Sequence, residues 1–263
     1  MICFLRNIDP VLQAVLATMF TWLVTALGAG VVFLFKSINK TVMDACLGFS
    51  AGVMIAASFW SLLSPAIEMS ASLGNSPWMT VLLGFMCGGG LLFLGDKVFE
   101  RGMDNFEFGS EKRVWMLIFS ITLHNIPEGM AVGVAFGSIA FGLEGATLSG
   151  ACLLALGIGL QNFPEGSAVS LPLLREGYSS KKAFFLGQLS GIVEPIAGFL
   201  GALLVLRIRY LLPFLLSFAA GTMIYVVVEE LIPESQTNKR KDLMALFTLI
   251  GFSIMMVMDV ALG

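Results

Sequence analysis

Residues 114–139 read VWMLIFSITLHNIPEGMAVGVAFGSI, and residues 146–173 read ATLSGACLLALGIGLQNFPEGSAVSLPL. Each is longer than the roughly 20 apolar residues a helix needs to cross the hydrocarbon core of a bilayer. Each is interrupted near its middle by one pattern: polar, Asn, apolar, Pro, Glu, Gly. His124, Asn125, Ile126, Pro127, Glu128 and Gly129 form it in the first stretch, and Gln161, Asn162, Phe163, Pro164, Glu165 and Gly166 in the second. An ionisable side chain at that depth costs roughly 2.5–3.5 kcal/mol on insertion scales. Two glutamates in matched contexts therefore mark a functional centre rather than an accident of packing.

The rest of the chain agrees with a membrane setting. Of 263 residues, 57% are hydrophobic and 13% charged, against roughly a quarter charged in a soluble domain. An ordinary soluble protein is excluded. Hydropathy outlines eight segments, at residues 11–35, 42–65, 78–99, 114–139, 146–173, 182–206, 211–232 and 243–261. The expected fold is an all-α polytopic membrane protein with eight transmembrane helices. It forms a single transmembrane domain over residues 1–263, because no linker is long enough for a second. The first segment is too long for the apolar region of a signal peptide and is read as a span. Four cysteines show no CxxC spacing, so neither a zinc ribbon nor a disulfide framework is indicated. A net charge of −3 with no long basic run argues against nucleic acid as a partner.

Short loops make the positive-inside rule applicable. Lys36, Lys40, Lys97, Arg101, Lys112, Arg113, Arg175, Lys181, Lys182, Lys239, Arg240 and Lys241 fall on one face, against Arg6, Arg207 and Arg209 on the other. The first face is expected in the cytoplasm, which leaves both termini extracytoplasmic. Phe49-Ser-Ala-Gly-Val-Met-Ile in the second segment resembles Phe218-Ala-Ala-Gly-Thr-Met-Ile in the seventh. These segments cross in opposite directions, so the repeat is inverted, as in many secondary transporters. Recurrence of small-residue packing motifs in a Gly-rich chain is the alternative.

Helical geometry says what the hexads can do. With about 100° between successive residues and His124 at zero, Glu128 falls near 40° and Asn125 near 100°, so the carboxylate sits between imidazole and amide. The same fan puts Glu165 between Gln161 and Asn162. If the helices face each other, the two glutamates form a shared pair with room for two bridging cations. Pro127 and Pro164 each free a carbonyl four residues back, at Leu123 and Leu160. A third acid, Glu194, stands mid-segment ahead of Pro195, with no Lys or Arg at its depth. Three buried carboxylates without a base require protons or cations, and two divalent metals suffice. Met54, Ser61, Ser64, Glu68 and Asp259 lie toward the outer mouth, and Asp96, Glu229, Glu230 and Glu234 toward the inner one. They suit a cation path, and each is also readable as a solvated helix-end residue.

At these residues the chain resembles the ZIP (Zrt/Irt-like protein) family of divalent metal transporters, most closely its GufA-type branch, in which HNxPEG is followed by QNxPEG or QDxPEG. The resemblance covers the whole chain. It implies a binuclear metal site of His124, Asn125, Glu128, Gln161, Asn162, Glu165 and Glu194. It also implies an inverted repeat of helices 1–3 and 6–8 around central Pro-kinked helices 4 and 5, homodimers in the cell membrane, and an elevator-type motion carrying metal into the cytoplasm. Met54 and Ser61 match entrance positions, and Glu229-Glu230 stands where many relatives have His-Glu at the exit. Zn2+ is the implied substrate, with Cd2+, Fe2+ and Mn2+ open. Many relatives carry histidine where Gln161 stands, so this site is more oxygen-rich, while Cu(I), which prefers sulfur, is disfavoured. An intramembrane metalloenzyme is the rival, but its HExxH pattern is absent and the chain is not read as an enzyme. A channel is a second rival; it needs weak, multi-ion sites rather than a seven-ligand cage.

Overall fold

A computed structural model describes residues 8–34, 39–104, 112–141, 146–207 and 209–262. Helix α1 (Pro10–Ala29) begins where Asp9 accepts from the backbone N–H of Val11 and Leu12, with proline in the first turn, and tightens into a 3-10 turn at Gly30–Phe33. Its polarity is inverted relative to a soluble helix. Thr18, Thr21 and Thr25 are buried while Leu12, Leu16, Leu23 and Leu27 are exposed, as befits a helix with lipid outside and a polar site inside.

Helix α2 (Lys40–Ala57) is capped by Asn39 and runs through a wide π-turn at Ser58–Leu63 into α3 (Ser64–Ser72). Pro65, at the start of α3, lacks an N–H for the Ser61 carbonyl, which explains widening at that point. Next come α4 (Pro77–Asp104), α5 (Lys112–Ser138), α6 (Leu148–Arg175), α7 (Ser180–Gly191), α8 (Val193–Arg207) and α9 (Leu212–Val226). A second π-turn, Val227–Leu231, precedes Pro233 in α10 (Ile232–Ser235), and α11 (Lys241–Leu262) closes the chain. No strand occurs among the described residues.

Among the described residues, six helical stretches are long and apolar enough to cross a membrane: Pro10–Phe33, Lys40–Ser72, Pro77–Val98, Ser180–Val205, Leu212–Ser235 and Lys241–Ala261. They coincide with six of the expected segments. The other two expected segments are α5 and α6, helices of 27 and 28 residues that contain the hexads. Both run continuously through Pro127 and through Pro164 and Pro172. Among the described residues, the helix break beside the site lies in the sixth segment, at Ile192, between α7 and α8. Pro195 accounts for it: it has no N–H to bond the Gly191 carbonyl, and its ring crowds that group.

The most extensive helix pairings are α1 with α6, α5 with α8, α2 with α11 and α4 with α9. Glycines set the first two. A Cβ on Gly28 would overlap the Phe163 carbonyl and one on Gly166 the Thr25 carbonyl; one on Gly129 would overlap Glu194 and one on Gly133 would overlap Gly198. Close backbone approach of this kind is how helices associate in lipid. It brings α1, α5, α6 and α8 together around the two hexads, with α2 and α9 packed against α6 and α5. Helices α4 and α11 form the periphery, with only 17% of their apolar windows buried.

Candidate metal centre

Asn125, Glu128, Gln161, Asn162 and Glu194 have no solvent exposure and Glu165 retains 6%. The carboxylates of Glu128, Glu165 and Glu194 are within electrostatic reach of one another. Helices α5 and α6 meet at the hexads. Gln161 Nε2 donates to Glu128 Oε1 across the α5–α6 contact, on one flank. On the other flank, Asn162 Nδ2 donates to both oxygens of Glu194, at 2.9 Å each. Asn125 Nδ2 donates to the Ser190 carbonyl at 2.9 Å, tying α5 to the end of α7. His124 stands in α5, one turn before Glu128, and its side chain lies outside the described residues.

Every amide nitrogen in this group is used, and the amide oxygens are not. Among the described residues, no donor reaches Asn125 Oδ1, Glu128 Oε2, Gln161 Oε1, Asn162 Oδ1 or Glu165 Oε2. A buried acceptor without a donor costs roughly 1–3 kcal/mol, more when charged. Three of these oxygens belong to amides and two to carboxylates, and with no Lys or Arg pairing with Glu128, Glu165 or Glu194 among the described residues they form a set that a hard or borderline cation would satisfy. No three of His, Cys, Asp and Glu form a tight cluster among the described residues. The donor set depends on side-chain amides, consistent with an oxygen-rich site.

Glu194 owes its position to the helix break. It lies in the first turn of α8, where the N-terminal dipole favours a carboxylate. Its neighbours on α1 were not read from the sequence: Thr21 Oγ1 donates to Glu194 Oε2, and Thr25 Oγ1 to Oε1 at 3.3 Å. The available signal was the spacing of Thr18, Thr21 and Thr25 by three and four residues, one face of an otherwise apolar helix.

The expected path residues divide. Ser61 Oγ donates to Asp259 Oδ1 at 2.8 Å, and both line a cavity of about 180 Å³ with Trp60, Ser138 and Thr147. That cavity touches α5 at Ala135, seven residues beyond Glu128 and so about 10 Å along the axis. Met54 is buried and Glu68 exposed. At the opposite end Asp96 bonds Tyr225, Glu230 lies within electrostatic reach of Glu165, and Glu229 is exposed.

A bundle of apolar helices with carboxylates and side-chain amides buried at its centre defines a multi-pass membrane protein with an ionisable interior. Residues 104–259 match the family model described as ZIP zinc transporter. The chain is similar to zinc transporter ZIP11 of Xenopus tropicalis, 40% identical over 97% of this chain and 98% of that one. It is also similar to zinc transporter ZIPB of Bordetella bronchiseptica, 35% identical over 91% and 78%, and to zinc transporter GufA of Myxococcus xanthus, 32% identical over 94% and 98%. The chain belongs to the ZIP family of metal transporters, which are not enzymes.

Proposed function

We propose that this chain carries Zn2+, with Cd2+, Fe2+ or Mn2+ as further candidate substrates, across the cell membrane into the cytoplasm through a binuclear site. Its ligands are His124, Asn125, Glu128, Gln161, Asn162, Glu165 and Glu194. The observation that carries this reading is the set of buried acceptor oxygens around Glu128 and Glu165 that no donor reaches among the described residues. Two divalent ions against three carboxylates leave a net +1, which the interior tolerates far better than uncompensated anions. The names of the relatives favour zinc.

Entry runs through the cavity at Ser61 and Asp259 and past Met54, with Glu68 at the rim; exit runs past Asp96, Glu229 and Glu230. All eight expected segments cross the membrane within one transmembrane domain over residues 1–263, with both termini outside. Helices α5 and α6, at 27 and 28 residues, are long enough to cross, since about 20 suffice. An inverted repeat relates the first three segments to the last three. The pairings support it: exchanging first with sixth, second with seventh, third with eighth and fourth with fifth maps α1–α6 onto α8–α5 and α2–α11 onto α9–α4. Glycines at equivalent places support it too. A Cβ on Gly52 or Gly251 would overlap the Thr248 or Phe49 carbonyl, and one on Gly221 or Gly88 the Phe85 or Phe218 carbonyl. The π-turns before Pro65 and Pro233 add a third correspondence.

The division of pairings supports an elevator-type motion. Helices α1, α5, α6 and α8 travel as one body carrying the site, and α2, α4, α9 and α11 form the frame, which also makes the homodimer contact. Radiometal uptake into proteoliposomes tests the site: Glu128→Ala and Glu165→Ala abolish saturable Zn2+ uptake, and His124→Ala reduces it less. Unchanged flux in either glutamate variant overturns the shared-carboxylate reading. Glu194→Gln lowers bound Zn2+ from two ions per chain to about one by equilibrium dialysis.

A further inference from the structure

Glu194 differs from its neighbours: both its oxygens are already engaged. Asn162 Nδ2 donates to each at 2.9 Å, Thr21 donates to Oε2, and Thr25 donates to Oε1 at 3.3 Å. Neither Glu194 oxygen is among the buried acceptors that lack a donor among the described residues, whereas Glu128 Oε2 and Glu165 Oε2 are. Each threonine also lies near a carbonyl of its own helix, Thr21 near Thr18 at 3.0 Å and Thr25 near Thr21 at 3.3 Å. A hydroxyl has one proton. An anionic acceptor gives the stronger bond, so the proton is directed to Glu194.

Other features secure the same carboxylate. A Cβ at Gly191 would stand 3.1 Å from Glu194 Oε1 and from Thr25 side-chain carbons, so glycine leaves the space in which they meet. The helix break at Ile192 places Glu194 in the first turn of α8. The consequence passes to Asn162. Its nitrogen must face the carboxylate, because its oxygen there would repel, and Asn162 Oδ1 is thereby directed away from Glu194, buried and without a donor among the described residues.

We propose that Thr21 and Thr25 are positioning residues of the metal site: they fix the orientation of Glu194 and, through it, the acceptor face of Asn162, and so set the affinity of the ion position those two ligands share. This rests on the metal-site reading above. Neutral hydroxyls suit the task because they orient a carboxylate without cancelling the charge that a cation requires.

The test uses the full chain in proteoliposomes and nanodiscs with Zn2+ as the probe. Thr→Val keeps shape and removes the donor. In the Thr21→Val/Thr25→Val pair, the KM for Zn2+ uptake rises about tenfold or more, as for other lost outer-shell partners of metal ligands, and one of two bound ions is lost in equilibrium dialysis. Thr21→Ser/Thr25→Ser retains the hydroxyls and restores both readouts. Thr18→Val is the matched control: Thr18 is equally buried on the same face, but its hydroxyl bonds the Ala14 and Val15 carbonyls, so it leaves KM and stoichiometry unchanged. Wild-type KM and stoichiometry in the Val pair overturn the proposal, as does an equal defect in Thr18→Val or failure of the Ser pair to restore function. If the Val pair does not fold, the single Val variants are read by the same criteria. Loss of uptake in Glu128→Ala alongside an unaffected Val pair removes this inference alone; uptake unaffected in both removes the metal-site reading with it.

Discussion

At the proposed metal centre, Gln161 is a single side chain expected to tune metal preference. Its Nε2 is committed to Glu128 Oε1 and its Oε1 is left as an oxygen acceptor, so the position supplies a hard donor. Imidazole is softer and favours Zn2+ over Mn2+. Gln161→His should therefore raise the Zn2+ to Mn2+ uptake ratio several-fold, roughly a 1 kcal/mol preference, measured by competition in proteoliposomes. An unchanged ratio means that selectivity is set elsewhere. Another single residue, Asp44, went unread in the sequence and proves structural. It is buried near the N-terminal end of α2, accepting from Asn238 Nδ2 at 2.8 Å and pairing with Lys40 at 3.1 Å. Lys40 is half-exposed, so solvent screens that pair. Most of the value lies in the Asn238 bond, which with Ser235 Oγ on the Asp44 carbonyl fastens the segment after α10 to α2. Asp44→Ala should cost about 1–3 kcal/mol, seen as a lower thermal midpoint and faster proteolysis within residues 236–240, with Zn2+ affinity retained.

Helix elements are held by backbone proximity more than by side-chain interlocking. At the α5–α8 crossing, Gly133 stands against the Gly198 backbone, and a rigid main chain cannot yield as a side chain can. Gly133→Ala should destabilise the protein by about 1–3 kcal/mol. Gly90, in α4, has nothing within 4 Å of a built Cβ, and Gly90→Ala should instead stabilise by about 0.5–1 kcal/mol through helix propensity. Thermal melts of the two variants in one detergent should shift in opposite directions. Equal shifts would show that the crossing has slack. The π-turns have a local cause in the prolines that follow them, and Ser61 and Glu230 both sit in such turns, where a wide turn re-aims side chains relative to a regular helix.

At the scale of the molecule, the expected orientation makes a topological prediction. In a background lacking Cys3, Cys46, Cys87 and Cys152, Ser76→Cys should react with a membrane-impermeant thiol reagent added outside, and Glu176→Cys only after permeabilisation. Both positions are exposed, in turns at opposite ends of the bundle; the reverse labelling pattern would invert the molecule. The sequence alone determined which segments are apolar helices and which acids lie within them, because hydropathy and helical periodicity are local properties of the chain. It also placed Glu128 between flanking donors, since that follows from rotation along one helix. Tertiary structure alone decided that Gln161 crosses to Glu128, that Asn162 turns to Glu194, and that Thr21 and Thr25 of the first helix complete Glu194. These contacts join residues up to 173 positions apart. They depend on which helix backs can approach closely enough to touch, and glycines in one helix specify that only once the partner helix is in place.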